Sequence, residues 1–156
     1  MVEVKDKIAK IRDAVNDILI AHNLPKLYYD TVPEAPQGDG TPYLTYAGDV
    51  FTILYEERGK ECGRIENLSF DEVIRFYIFE SAIQFGRDYE QNNRQDGSCH
   101  SRWNWMKPTI EVMAQVSEDY GKYAYDHYIR FLRHSRLTKD EVANSWFDIP
   151  QVLLRH

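Results

Sequence analysis

The sequence predicts an α+β fold: an N-terminal helix, a three-stranded antiparallel meander, then a mostly helical C-terminal half packed on one face. Three observations carry this. Hydrophobic spacing is helical from Val4 to Ala21, switches to a period of two between Tyr43 and Glu66, and returns to helical from Leu68 onward. Two capping boxes punctuate the helical half. Three prolines and two glycines cluster in Pro33 to Pro42, between the first helix and the first strand.

In the first helix Ile8, Ile11, Val15 and Ile18 share a face, with Lys5, Lys10, Arg12 and Asp13 elsewhere. His22-Asn23-Leu24-Pro25 ends it, since Asn caps and Pro cannot continue. Lys26 to Val32 reads as a short extended segment. Pro33 to Pro42 reads as a loop, too short for an interdomain linker. Tyr43 to Tyr46 is a strand, Gly48-Asp49 a tight turn, and Val50 to Glu57 the longest β-rich run, with Phe51, Ile53 and Tyr55 on one face. Arg58-Gly59-Lys60 turns into a weaker third strand, Glu61 to Glu66. Cys62 and Gly63 mark it as an edge. One face of this meander is expected to be buried and the other free.

Ser69 with Glu72 forms a capping box, and Leu68 with Val73 a hydrophobic staple, so a helix starts there and runs to about Gln91. Its apolar arc is wide: Val73, Ile74, Phe76, Tyr77, Ile78, Ala82, Ile83, Phe85 and Tyr89. Gly86 inside it costs about 1 kcal/mol against Ala, which a close helix–helix crossing would explain. Asn92 to Ser98 is a polar loop. A helix begins near Ser101, kinked or restarted at Pro108. Trp105, Thr109, Val112 and Val116 share one stripe, and Met106, Ile110 and Met113 the next. Another helix spans about Lys122 to His134 with Ala124, Tyr128, Phe131 and Leu132 inward. Leu137 to Val142 repeats the box-and-staple pattern, opening a short helix that stops before Pro150.

At 156 residues the chain suits a single domain, 1–156, with one core. The net charge of −6 is uneven: up to Gln95 there are 11 Lys/Arg against 17 Asp/Glu, and from Asp96 onward 8 against 8. An acidic surface opposes phosphate binding, so nucleic acid is not an expected partner. It would favour a basic partner through steering, or merely keep the chain soluble. Two cysteines, Cys62 and Cys99, make neither a disulfide framework nor a zinc spacing, which suits a reducing, cytoplasmic setting. No apolar run reads as a leader or a membrane span.

Catalytic chemistry finds little support. The five histidines are scattered, and His127 and His134 stand two turns apart. No GxSxG, SxxK, GxGxxG or GxxxxGK[ST] occurs. Cys62 reads as a partly buried inert thiol; Cys99 beside His100 is poorly placed to share a substrate atom. Arg130, Arg133, His134, Arg136 and Lys139 form the one basic stretch, and its first members close a helix, where cations offset the macrodipole. No metal, cofactor or catalytic residue is assigned. What remains is the meander. Asp49, Glu56, Glu57, Glu61 and Glu66, with Tyr43, Tyr46 and Tyr55 nearby, read as an acidic recognition patch with aromatic anchors or as a solvated sheet face over core tyrosines.

Pro42-Tyr43, the run Tyr55-Glu56-Glu57-Arg58-Gly59-Lys60-Glu61, Asp71, Tyr89-Glu90, Arg94 and Ser101-Arg102 carry a resemblance. Over about Gly40 to Arg136 the chain resembles immunity protein family 63 of bacterial polymorphic toxin systems. One departure is Trp103, where a second arginine often follows the one at Arg102. The resemblance implies a protein encoded beside a secreted toxin that binds and neutralises the toxin domain, with no catalysis and no cofactor. It leaves the toxin's chemistry and the oligomeric state open; the acidic balance fits a basic, nuclease-type toxin. Arg58, Glu90, Arg94 and Arg102 are expected to form an internal ion-pair network rather than the contact surface. The expected toxin-binding residues are Tyr43, Tyr46, Asp49, Tyr55, Glu56, Glu61 and Glu66. The rival readings are a non-enzymatic adaptor of another pathway and a small hydrolase using Cys99 or the carboxylates.

Overall fold

Helix α1 spans Val2–Ala21 and buries Ile8, Ile11, Val15 and Leu19. Ile18, expected on that face, is half-buried instead. At about 100° per residue, Leu19 returns to within roughly 20° of Ile8, whereas Ile18 falls roughly 80° away. The helix closes as a Schellman motif. Asn23 is left-handed (φ 53°), Leu24 N–H donates to Leu19 O at 2.8 Å and Asn23 N–H to Ile20 O at 3.2 Å.

These features come from a computed structural model that describes residues 2–27, 29, 32–95 and 100–154. Tyr28, Asp30 and Thr31 of the expected extended segment lie outside the described residues; its other members form no strand. The chain divides into two units, Met1–Glu80 and Ser81–His156.

In the first unit the sheet order is β1-β2-β3, antiparallel throughout. Strand β1 spans Asp39–Ala47, β2 Val50–Glu57 and β3 Lys60–Leu68. β1 therefore starts before Tyr43 and contains Pro42. It tolerates the proline because it is an edge strand with an irregular register between Asp39 and Pro42. The loop before it covers part of that edge, with Leu44 N–H donating to Pro33 O at 2.8 Å. Both hairpin turns place two residues in the left-handed region: Gly48 (59°) with Asp49 (65°), and Arg58 (52°) with Gly59 (79°). Such turns match the right-handed strand twist. Leu44, Phe51 and Ile53 are buried on the core face.

Helix α2 spans Phe70–Asn93. Its capping box is complete: Glu72 N–H donates to Ser69 Oγ at 3.2 Å, and Ser69 N–H to Glu72 Oε1 at 3.0 Å. Val73, Ile74, Phe76, Tyr77, Ile78 and Phe79 are buried in its first half. Phe79 joins the arc drawn from the sequence, whereas Tyr89 is exposed.

In the second unit the end of α2 meets α3 (Trp103–Val116), which pairs with α4 (Glu118–His134). Gly86 marks a close crossing, as expected. A Cβ there would stand 2.1 Å from Thr109 Oγ1 and 2.3 Å from Trp105 O. Gly121 plays the same part between α4 and α3, where a Cβ would stand 2.6 Å from that of Ala114. Ser117 caps α4, accepting from Tyr120 N–H at 3.1 Å, so α4 begins before Lys122. Ala124, Tyr128 and Leu132 face inward, but Phe131 is 47% exposed and Ile129 is buried in its stead. Ile129 and Phe131 flank the Tyr128–Leu132 line at equal angles, so packing and not periodicity chooses between them.

Pro108 sits inside α3 rather than at a restart. Helix α5 (Lys139–Ala143) has the expected capping box, Thr138 with Glu141. A further turn, α6 (Gln151–Leu154), follows Pro150. Of the expected loop at Asn92 to Ser98, its first two residues belong to α2, while Asp96, Gly97 and Ser98 lie outside the described residues.

Candidate functional site

Strand pairing divides the acidic, tyrosine-bearing residues between the two faces of the meander. Tyr43 lies opposite Leu54 and diagonal to Glu56; Leu54 lies opposite Arg64, and Glu56 opposite Glu61. Alternation places these side chains on the face away from Leu44 and Ile53. Glu66, two residues beyond Arg64, joins them. Tyr46 pairs with Phe51 and Tyr55 with Pro42, on the face that carries the core. The expected patch is thus two groups.

The outer group is held by its own contacts. Tyr43 O–H donates to Glu56 Oε2 at 3.4 Å. Partial burial, then the Glu56 charge, pushes the Tyr43 phenol up. Arg64 Nε donates to Glu61 Oε2 at 2.9 Å and Nη1 to Glu66 Oε1 at 2.8 Å; Nη2 also donates to Glu61 Oε1. These hydrogen bonds draw the Glu61 carboxyl below its usual range and lift the guanidinium. Leu54 beneath them is only 8% exposed. The face brings together one phenol, three carboxylates and one cation. Arg64 was not among the expected residues. The signal for it is the spacing Glu61, Arg64, Glu66 on a strand, which puts a cation between two acids across a bulge.

The inner group serves the α1–β1 seam. Tyr46 O–H donates to Asp49 Oδ1 at 3.0 Å. The Tyr46 ring lies 4.8 Å from that of Phe51, and Lys7 Nζ sits 6.0 Å from its centroid. Tyr55 is half-buried.

The charged residues carried by the resemblance take separate partners. Arg58 occupies the exposed β2–β3 turn, its backbone N–H donating to Gly38 O. Glu90 is 5% exposed and receives Arg94 Nη2 at 2.6 and 2.7 Å. Arg102 engages Glu141 through its own N–H (3.0 Å), Nε (2.8 Å) and Nη2 (2.9 Å). It also reaches Ser135 Oγ and Arg136 O. Glu141 additionally accepts from Thr138 N–H at 3.0 Å. Arg102's donors, with help from Thr138, hold the Glu141 carboxyl at about 2. The sequence pattern assigns Glu141 a cap alone. Trp103, the departure from the family pattern, is 1% exposed and donates Nε1–H to Asp148 O at 3.0 Å.

Arg87, Glu90, Gln91, Arg94, His100, Ser101, Arg102 and Trp105 line a cleft of about 340 Å³. Cys62 is exposed and free, not partly buried, because edge strand β3 leaves both its faces and its rim open to solvent. Cys99 lies outside the described residues. Among the described residues no three His, Cys, Asp or Glu side chains group to hold a metal ion, and no helix is long and apolar enough to cross a membrane.

No curated protein and no solved structure matches the chain. A family model described as Immunity protein 63 matches residues 48–130, from the first hairpin turn through most of α4. That stretch exceeds half of the 156 residues and includes β2, β3, α2, α3 and the ion-paired Glu90, Arg94 and Arg102. The chain belongs to the Immunity protein 63 family.

Proposed function

We propose that the chain neutralises a cognate toxin domain by stoichiometric binding in the cytoplasm of the producing cell, acting as one functional domain and without catalysis. Family membership is the observation that carries this reading. The contact surface is the outer face of the meander: Tyr43, Glu56, Glu61 and Glu66 around Arg64. Tyr46 and Asp49 extend it at the β1–β2 hairpin tip, and Tyr55 supports it from the core side. Support comes from the exposure of Glu61, Arg64 and Glu66 and from hydrogen bonds that fix their directions before any partner arrives. Preorganised side chains lose little freedom on binding. A basic toxin, of the kind that handles nucleic acid, fits the acidic balance. Arg94 and Arg102 serve structure within the helical unit, each held by a buried carboxylate.

Co-expression with the toxin domain encoded beside this chain tests the reading. Survival with a 1:1 complex is the expected result. Death in the presence of folded chain, with no complex, would overturn it and leave an adaptor role in another pathway.

A further inference from the structure

The close approach at Gly86 has a chemical result one residue later. It brings Arg87 over the indole of Trp105, with its guanidinium carbon 5.0 Å from the ring centroid. Trp105 is in turn held edge-on against Tyr128, with centroids 5.7 Å apart. The guanidinium therefore lies against an aromatic surface, and a guanidinium held this way keeps N–H donors for an oxyanion.

The charges lining the cleft do not cancel. Glu90 is matched by Arg94 at 2.6 Å, and Arg102 by Glu141 at 2.8 Å. The neighbouring Asp88 carboxylate accepts from Gln84 Nε2 at 2.8 Å. No carboxylate pairs with Arg87 among the described residues. His100 Nδ1 lies 3.6 Å from Glu90 Oε1 and lines the same cleft. Ser101, also lining the cleft, is 1% exposed, and its Oγ has no hydrogen-bond partner. A buried hydroxyl without a partner costs stability. A surplus cation on an aromatic platform and a cleft of about 340 Å³ meet in one place, with the enclosed Ser101 hydroxyl behind them.

We infer that this cleft is an oxyanion site: it accepts a carboxylate or phosphate group on the Arg87 edge, against the Trp105 platform. The cleft belongs to the helical unit alone and needs no role for the sheet. Two sources share this chemistry: an acidic side chain of a bound protein and free phosphate.

Amide and side-chain NMR of the full chain, titrated with inorganic phosphate and separately with acetate at fixed ionic strength, tests the site without any toxin. The Trp105 indole N–H and Arg87 Nε–H signals are expected to shift and saturate. Arg87→Ala should weaken binding by about tenfold or more, since a charge-assisted pair is lost. Ser101→Ala should leave binding unchanged and thermal stability equal or higher, because it deletes an enclosed, unpartnered hydroxyl. Tighter phosphate than acetate would assign the site to free phosphate; equal or tighter acetate would assign it to a partner's carboxylate. Shifts that chloride reproduces, or that persist unchanged in Arg87→Ala, would overturn the proposal.

Discussion

Glu141 accepts hydrogen bonds from Arg102 N–H, Nε and Nη2 and from Thr138 N–H, so one carboxylate caps α5 and anchors the start of α3. Its pKa is lowered from 4.5 to about 2, mainly by the Arg102 side chain. The folded value lies below the unfolded one, so the stabilisation is fully present above pH 4.5 and is lost as pH falls towards 2. At 1.36 kcal/mol per unit the contribution is on the order of 3 kcal/mol. Glu141→Gln should lower the unfolding free energy at pH 7 by about 2 kcal/mol and flatten the acid limb between pH 4.5 and 2. Urea denaturation across that pH range measures both; an unchanged acid limb would show that another carboxylate controls acid unfolding. Arg58 makes a residue-scale prediction of opposite sign. It holds φ 52° in a turn that favours Asn or Gly. Arg58→Asn should raise the unfolding free energy by a few tenths of a kcal/mol, and the melting temperature slightly with it, by relieving left-handed strain on a longer side chain. A fall would mean that the guanidinium has a structural partner the turn geometry hides.

Helix α4 lies against α3 at Gly121, and adding a methyl there sets two preferences against each other. Alanine gains about 1 kcal/mol in helix propensity. The added Cβ would stand 2.6 Å from Ala114 Cβ and 2.7 Å from Ala114 Cα. Overpacking of this kind costs about 1–3 kcal/mol, and a backbone neighbour cannot yield, so the clash wins. Gly121→Ala should destabilise the protein, and Ala114→Gly should rescue it only in part, because the clash with the backbone of residue 114 remains. Full rescue in a double-mutant cycle would show that the helices can slide apart. The sequence signalled the equivalent crossing at Gly86, where an interior helix glycine demanded a reason. It offered less warning at Gly121, which lies close to the Ser117 cap and passes for part of a turn. Elements announced by local chemistry were legible: the Ser69–Glu72 and Thr138–Glu141 boxes and the two-residue turns. Those decided by packing were not. Ile129 displaced Phe131 because packing chose between two residues that periodicity ranks alike, whereas Leu19 displaced Ile18 because it lies nearer the Ile8 line.

Across the whole chain, the charge imbalance placed the excess acid before Asp96, but the candidate surface depended on strand register. Composition groups Tyr43, Tyr46 and Tyr55 together; alternation along β1 and β2 sends Tyr43 outward and Tyr46 and Tyr55 towards the core. Arg64 was invisible to a search for acids, yet it decides how much negative field the face projects. If toxin association is steered, the net field of this face sets the on-rate, whereas its individual exposed ion pairs contribute little to folding. Replacing Glu56, Glu61 and Glu66 together by Gln leaves Arg64 uncompensated and makes the face cationic. Association with a basic toxin at low salt should then slow by about tenfold, with little change in unfolding free energy. Arg64→Ala makes the face more acidic and should speed association, even though it removes two hydrogen-bonded pairs that position Glu61 and Glu66. Stopped-flow association rates at rising salt separate field from contact. Rates of all three proteins should converge as the Debye length shrinks to about 3 Å at 1 M. A flat salt response, or slowing in Arg64→Ala equal to that in the triple variant, would mean that the face acts through docking geometry and not through its charge.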